Sequence, residues 1–217
     1  ADYYSSRTYT TSYTYDLGGR LTSTTYPNPP SEGAEQVNLS YNEQAIGLPA
    51  SMSTNKDASW PVVEAQYNAR GQMTYLRQGR NSPTNDNVFT SYTYDDTSTK
   101  RGWLTRTRVT SDGGGTVYLD LNIDYYANGN IQRLRNQGIS NPAPLTNPEF
   151  TIDYQYDGLD RLRRATSSAT GNYPLFPEEF YQFDTLGRMT QRTLNSGTPP
   201  RQYAYDNQGP KDGPDSY

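Results

Sequence analysis

The sequence predicts an all-β chain of tandem antiparallel hairpins, and three observations predict it. One short phrase recurs: YTYDLGGRL at 13–21, YTYDD at 92–96, YQYDGLDRL at 154–162 and YQFDTLGRM at 181–189. Tyrosine is abundant, with 21 copies, and tyrosine and threonine suit a pleated surface that is wet on one side. Glycine (18) and proline (15) supply the punctuation that many short strands need.

The 217 residues are only 32% hydrophobic, so a thick core is not expected. Disordered chains share that polarity but lack aromatics, and this chain adds 5 Phe and 2 Trp to its tyrosines. The net charge is -4 and the basic residues are scattered, which leaves no footprint for a phosphate backbone and disfavours nucleic acid as a partner. Cysteine and histidine are both absent. That removes disulfides, thiolate chemistry, zinc-thiolate sites and the usual general base. No apolar run is long enough to span a bilayer. The chain opens on ADYYSSRTYT, which reads as a processed product or an excised fragment.

Taken in order, each unit is anchored on an aromatic that precedes an Asp or Asn slot. The anchors are Tyr15, Tyr41, Tyr67, Tyr94, Tyr125, Tyr156, Phe183 and Tyr205, and their numbers differ by 22 to 31 residues. The slot holds Asp16, Asn42, Asn68, Asp95, Tyr126, Asp157, Asp184 and Asp206, so one unit departs from the pattern. Three residues on stand Gly19, Gly71, Gly129, Gly187 and Gly209, with Asp160 substituting once; two longer loops reach Gly47 and Gly102 later. An apolar residue then follows at Leu21, Met73, Leu104, Ile131, Leu162 and Met189.

The spacing defines a turn. Asp or Asn at the first position of a type I turn accepts hydrogen bonds from the turn backbone, and Gly at the fourth takes the left-handed conformation of a G1 bulge. Register follows: Asp16 and Arg20 flank the loop, and Tyr15 lies opposite Leu21, with Tyr13 on the same face. The same logic pairs Asp157 with Arg161 and Asp184 with Arg188. Exposed pairs of this kind contribute at most about 1 kcal/mol each, so they tune register. The anchor and apolar positions form a packing ladder on the face expected to be the more buried.

Between units lie YPNPPSEGAE, NSPTNDN, SDGGGT, NPAPLTNPE and NSGTPPR, the connections at the opposite edge of an up-and-down meander. The repeat continues across all of them, so the expectation is a single array of about eight hairpins over residues 1–217. A sheet that wide curls, and a curved, spiralling or barrel-like form is expected. Residues 5–15 have no preceding hairpin partner and RQYAYD at 201 has no returning strand, which leaves open edges at both ends.

The phrase at Tyr13 to Leu21, with close variants at Tyr156 to Leu162 and Phe183 to Met189, resembles the YD repeat of the RHS family. That family includes bacterial RHS toxins, the cocoon-forming components of insecticidal toxin complexes and the animal teneurins. The resemblance implies stacked hairpins that close into a hollow shell, and an extracellular or exported setting. Members are far longer, so eight units would wall off a part of such a shell. The family's Asp-Pro-x-Gly self-cleavage core has no match; QGPKDGPDSY at the end differs, and Pro210 takes the Arg slot of the last unit. Cargo and autoprotease activity are not carried over.

Recurring Asp residues are not read as catalytic, because a glycosidase needs two carboxylates at one separation. Asp120, Asn122 and Asp124 open like an EF-hand loop, but Tyr125 stands where Gly is required and Ile131 where the bidentate Glu belongs. A strand with one polar face is the plainer reading. The tyrosine ladder is read as packing ahead of saccharide stacking, and Trp60 and Trp103 are expected on the surface opposite the ladder. The leading expectation is therefore a non-enzymatic structural module without cofactor or metal, forming an extracellular shell wall or joining copies of itself, or adjoining repeats of a longer chain, through sheet edges into a tube or filament. The competing expectation is a cell-surface adhesion module for glycan or a protein partner.

Overall fold

The computed structural model describes residues 9–27, 33–42, 47–56, 62–79, 87–95, 101–111, 115–137, 149–169, 178–195, 199–205 and 215–216. These residues form sixteen strands and no helix. They fall in two compact units, one of residues 1–93 with 108–117, the other of 94–107 with 118–217.

In the first unit, β1 (Ser12–Tyr15) and β2 (Leu21–Thr25), β3 (Gln36–Asn42) and β4 (Leu48–Thr54), and β5 (Val63–Tyr67) and β6 (Met73–Gln78) are hairpins; β7 (Val88–Tyr94) pairs antiparallel with β6. Antiparallel pairs β2–β3 and β4–β5 join the hairpins, so strand order is chain order. Strand β8 (Leu104–Ser111) divides, with Arg108–Ser111 belonging to this unit and Leu104–Thr107 to the second.

The second unit repeats the plan with β9 (Val117–Tyr125) and β10 (Ile131–Asn136), β11 (Phe150–Tyr156) and β12 (Leu162–Ala169), β13 (Glu179–Phe183) and β14 (Met189–Leu194), and β15 (Arg201–Ala204) with β16 (Asp215–Ser216). Strand order is again chain order, through the pairs β10–β11, β12–β13 and β14–β15. The short β16 corrects the expectation that RQYAYD lacks a returning strand, since Tyr203 pairs with Ser216 and Ala204 with Asp215.

Register follows the turn chemistry. Tyr15 is the Cα partner of Leu21, Tyr67 of Met73, Tyr125 of Ile131, Tyr156 of Leu162 and Phe183 of Met189, each beside a bulge. The second loop is two residues longer, and Tyr41 pairs with Pro49, which again stands two residues past the glycine, Gly47.

Burial is shallow. No large side chain among the described residues is fully buried, and the buried apolar residues are Ala65, Val117 and Ala165. Ala65 and Val117 lie an even number of strand positions from Tyr67 and Tyr125, and Ala165 pairs with Tyr154, so all three share the anchor face. Buried polar residues sit on the other face as well: Arg77, 6% exposed, lies opposite Glu64 and donates from Nε at 3.4 Å. The layer is thus held on both faces, because so polar a sequence cannot supply one thick apolar side.

Candidate functional site: the turn edge of the hairpins

Five hairpin turns close with the same two backbone bonds. The Asp16 amide donates to the Arg20 carbonyl (2.9 Å), and the Gly19 amide returns to the Asp16 carbonyl (3.0 Å). The pattern recurs at Asn68 and Gln72, Tyr126 and Asn130, Asp157 and Arg161, and Asp184 and Arg188. Gly19, Gly71, Gly129 and Gly187 have φ of 79, 75, 98 and 84°, the left-handed region, and Asp160 takes their place at 61°.

The slot side chain braces the turn. Asp184 Oδ1 accepts from the amides of Leu186 and Arg188, both at 2.9 Å, and Arg188 Nε donates to its Oδ2 at 2.7 Å. Asp16 does the same with Gly18 and Arg20, and Asp157 with Leu159 and Arg161. Asn68 and Gln72 reproduce the arrangement without charge, through Asn68 Oδ1 to the amides of Arg70 and Gln72 and Asn68 Nδ2 to Gln72 Oε1 (2.8 Å). The Arg20 amide and guanidinium hold the Asp16 carboxyl below the usual carboxylate value. At Asp157 and Asp184 burial pushes the other way, but hydrogen bonds from Arg161 and Arg188 outweigh it and both are lowered.

A second function of the arginine slot is visible only in three dimensions. Arg20 places its guanidinium carbon 4.8 Å from the Tyr41 ring centroid, Arg161 lies 4.8 Å from Phe183, and Arg188 lies 4.8 Å from Tyr205. Each arginine therefore clamps its own turn and covers the anchor ring of the next hairpin. Arg161 also donates to the Asp184 carbonyl at 3.1 Å.

The anchor answers in the opposite direction. Tyr41 Oη donates to the Leu21 carbonyl (2.8 Å), Tyr67 to Pro49 (2.9 Å), Tyr125 to Leu104 (2.8 Å) and Tyr205 to Met189 (2.8 Å). Tyr is preferred at the anchor because its ring packs while its hydroxyl reaches a backbone carbonyl of the preceding repeat.

Trp103 corrects one expectation. It was expected on the surface opposite the ladder, but its carbonyl accepts from Asp95, which puts it in the arginine slot, and its ring lies 5.0 Å from that of Tyr125. Residue spacing obscured this because the fourth loop is longer. Trp103 also passes 3.1 Å from where a Cβ on Gly129 would stand, so a side chain there would crowd the indole as well as strain the φ of 98°.

Among the other predicted positions, Tyr94 is half-buried at the end of β7, whereas Tyr13 and Tyr15 are 55% and 61% exposed. Asp206, Gly209 and Trp60 lie outside the described residues. Asp120 is held by Arg106 Nε at 2.6 Å and Asp124 by Arg135 at 3.0 Å, so both carboxylates belong to a cross-strand charged face. Arg192 likewise lowers Glu179 by a hydrogen bond of 2.7 Å; burial, with Glu179 beside it, pushes the Tyr181 hydroxyl up to about 12.

This fold has counterparts among solved structures. The chain is similar to a crystal structure of TcdB2-TccC3-Cdc42, with a TM-score of 0.64 and 20% identity over 94% of this chain. It is similar also to TcdB2-TccC3 without its hypervariable C-terminal region, with a TM-score of 0.63 and 20% identity over 94%. In both cases it spans only 10% of the longer chain. The resemblance to RHS/YD-repeat shell proteins holds at the level of the fold. No protein-family model and no curated protein sequence matches the chain.

Proposed function

We propose that the chain is a non-enzymatic structural module, one array of YD-type hairpins that forms part of the wall of an extracellular shell or joins copies of itself edge to edge into a tube or filament. The observation that carries this reading is the relay along the turn edge, in which Asp orients Arg, Arg covers the next anchor, and that anchor's hydroxyl returns to the preceding backbone. Such a relay propagates without a core, which suits a wall. The Asp, Asn and Gly positions serve as structural turn residues and the anchors as packing; the likeness to the TccC3-containing structures supports the wall and an exported setting.

Sheet edges make a second copy, or adjoining repeats of a longer chain, the natural partner. Negative-stain microscopy and sedimentation of the full chain over a wide concentration range test this. Regular polymers are expected. A particle that stays monomeric at every concentration removes self-assembly, and leaves the wall reading to depend on adjoining repeats.

A binding role in adhesion has one observation in its favour: Tyr13 and Tyr15 alternate along β1 and expose their rings on one face. Glycan-array signal that disappears in Tyr13→Ala and Tyr15→Ala supports it; signal unchanged by both removes it.

A further inference from the structure

Turns two to five carry no arginine in the slot that Arg20, Arg161 and Arg188 fill, and what the fifth leaves behind has the chemistry of a receptor. Its slot holds Tyr126 instead of Asp, and the arginine slot holds Asn130. Among the described residues no arginine lies over Tyr156, the next anchor. Tyr126 instead meets the Tyr156 ring edge-on, at 6.1 Å and 89°, and its hydroxyl donates to the Tyr154 carbonyl at 3.0 Å.

A cavity of about 540 Å³ opens here, lined by Tyr126, Asn128, Asn130, Gln155, Tyr156 and Asp160. Asp160 is the sixth turn's departure from the pattern: it occupies the position that is glycine at 19, 71, 129 and 187, at φ 61°. A non-glycine residue held there carries a conformational cost, and costs of this kind are retained where a side chain has work to do. Its Oδ1 accepts from Asn128 Nδ2 (2.7 Å) and Asn130 Nδ2 (2.9 Å), which aim the exposed carboxylate at the cavity. Asp157 beside it is neutralised by Arg161, while among the described residues no arginine or lysine pairs with Asp160.

We propose that this cavity binds a guanidinium group, the side chain of an arginine presented by a partner polypeptide. The molecule itself supplies the precedent, since the equivalent space above Tyr41, Phe183 and Tyr205 is filled by Arg20, Arg161 and Arg188. At the fifth turn the built-in guanidinium is missing and a carboxylate has been added. Two aromatic rings and one carboxylate that has no cationic partner among the described residues match a planar cation better than a neutral ligand. This inference is independent of the wall reading and survives its failure.

Titration of the isotope-labelled full chain with acetyl-arginine amide, followed by amide chemical shifts, tests it. Saturable shifts confined to 126–130 and 155–160 are expected, with acetyl-citrulline amide producing none. Asp160→Asn, which keeps the amide contacts, should weaken binding about tenfold, the scale of one charge-assisted hydrogen bond. Asn130→Arg should fill the cavity from within and abolish binding. Agmatine separates the sources of guanidinium: tighter binding of the capped amino acid points to a polypeptide, tighter binding of agmatine to a free metabolite. Equal shifts with citrulline, no shifts at all, or unaltered affinity in Asp160→Asn or Asn130→Arg overturns the proposal.

Discussion

Arg161 lies 4.8 Å above the ring of Phe183, one hairpin further on, while its Nε donates at 2.7 Å to Asp157 in its own turn. One side chain thus serves two repeats. Arg161→Ala is expected to destabilise the protein by about 2 kcal/mol and Arg161→Lys by about 1 kcal/mol, because lysine keeps the charge but loses the planar fork. Urea unfolding of the three proteins measures the difference; a lysine variant as unstable as alanine contradicts it.

The turn brace depends on acceptor geometry more than on charge, as Asn68 and Gln72 demonstrate by keeping the same bonds. Asp184→Ala should cost about 1 kcal/mol. The pair Asp184→Asn with Arg188→Gln should retain the turn itself and lose chiefly the contact with Tyr205. Amide exchange at Leu186 and Arg188 distinguishes these outcomes: protected in the double variant, fast in the alanine variant.

The seventh anchor is Phe183, which has no hydroxyl to offer the Leu162 carbonyl. Phe183→Tyr is therefore expected to raise stability by up to about 1 kcal/mol, and Tyr41→Phe to lower it by a similar amount. Thermal unfolding of both variants reads the two opposite signs.

Asp16, Asp157, Asp184 and Glu179 all have carboxyls lowered in the folded state. For a lowered acid the stabilisation is fully present above the unfolded value, 3.8 for Asp and 4.5 for Glu, and is lost as pH falls through the folded value. Stability should therefore fall below pH 4.5, continuing beneath 3.8. Unfolding midpoints across that range, compared with a variant carrying Asp16→Asn, Asp157→Asn and Asp184→Asn, should show a shallower fall in the variant.

The hairpins were legible in the sequence because their turns are local. Asp16 and Gly19 stand three residues apart, and that spacing alone set Tyr15 against Leu21. What joins one hairpin to the next was not legible. In the sequence Arg20 stands out only as the ion-pair partner of Asp16, since Tyr41 lies beyond a connection of unrelated sequence. The place of Trp103 is hidden differently, its slot being displaced by a longer loop. One signal was available: arginine follows the glycine position in three units, at Arg20, Arg161 and Arg188, each time with Asp in the slot, which a turn by itself does not require.

The central claim is that the hairpins are coupled through the arginine-to-anchor contact, and a double-mutant cycle on Arg161 and Phe183 tests it most directly. Arg161→Gln and Phe183→Leu, alone and together, should reveal a coupling of about 1 kcal/mol in urea unfolding. Effects that add to within about 0.3 kcal/mol contradict the claim, and the turn edge is then a row of independent hairpins.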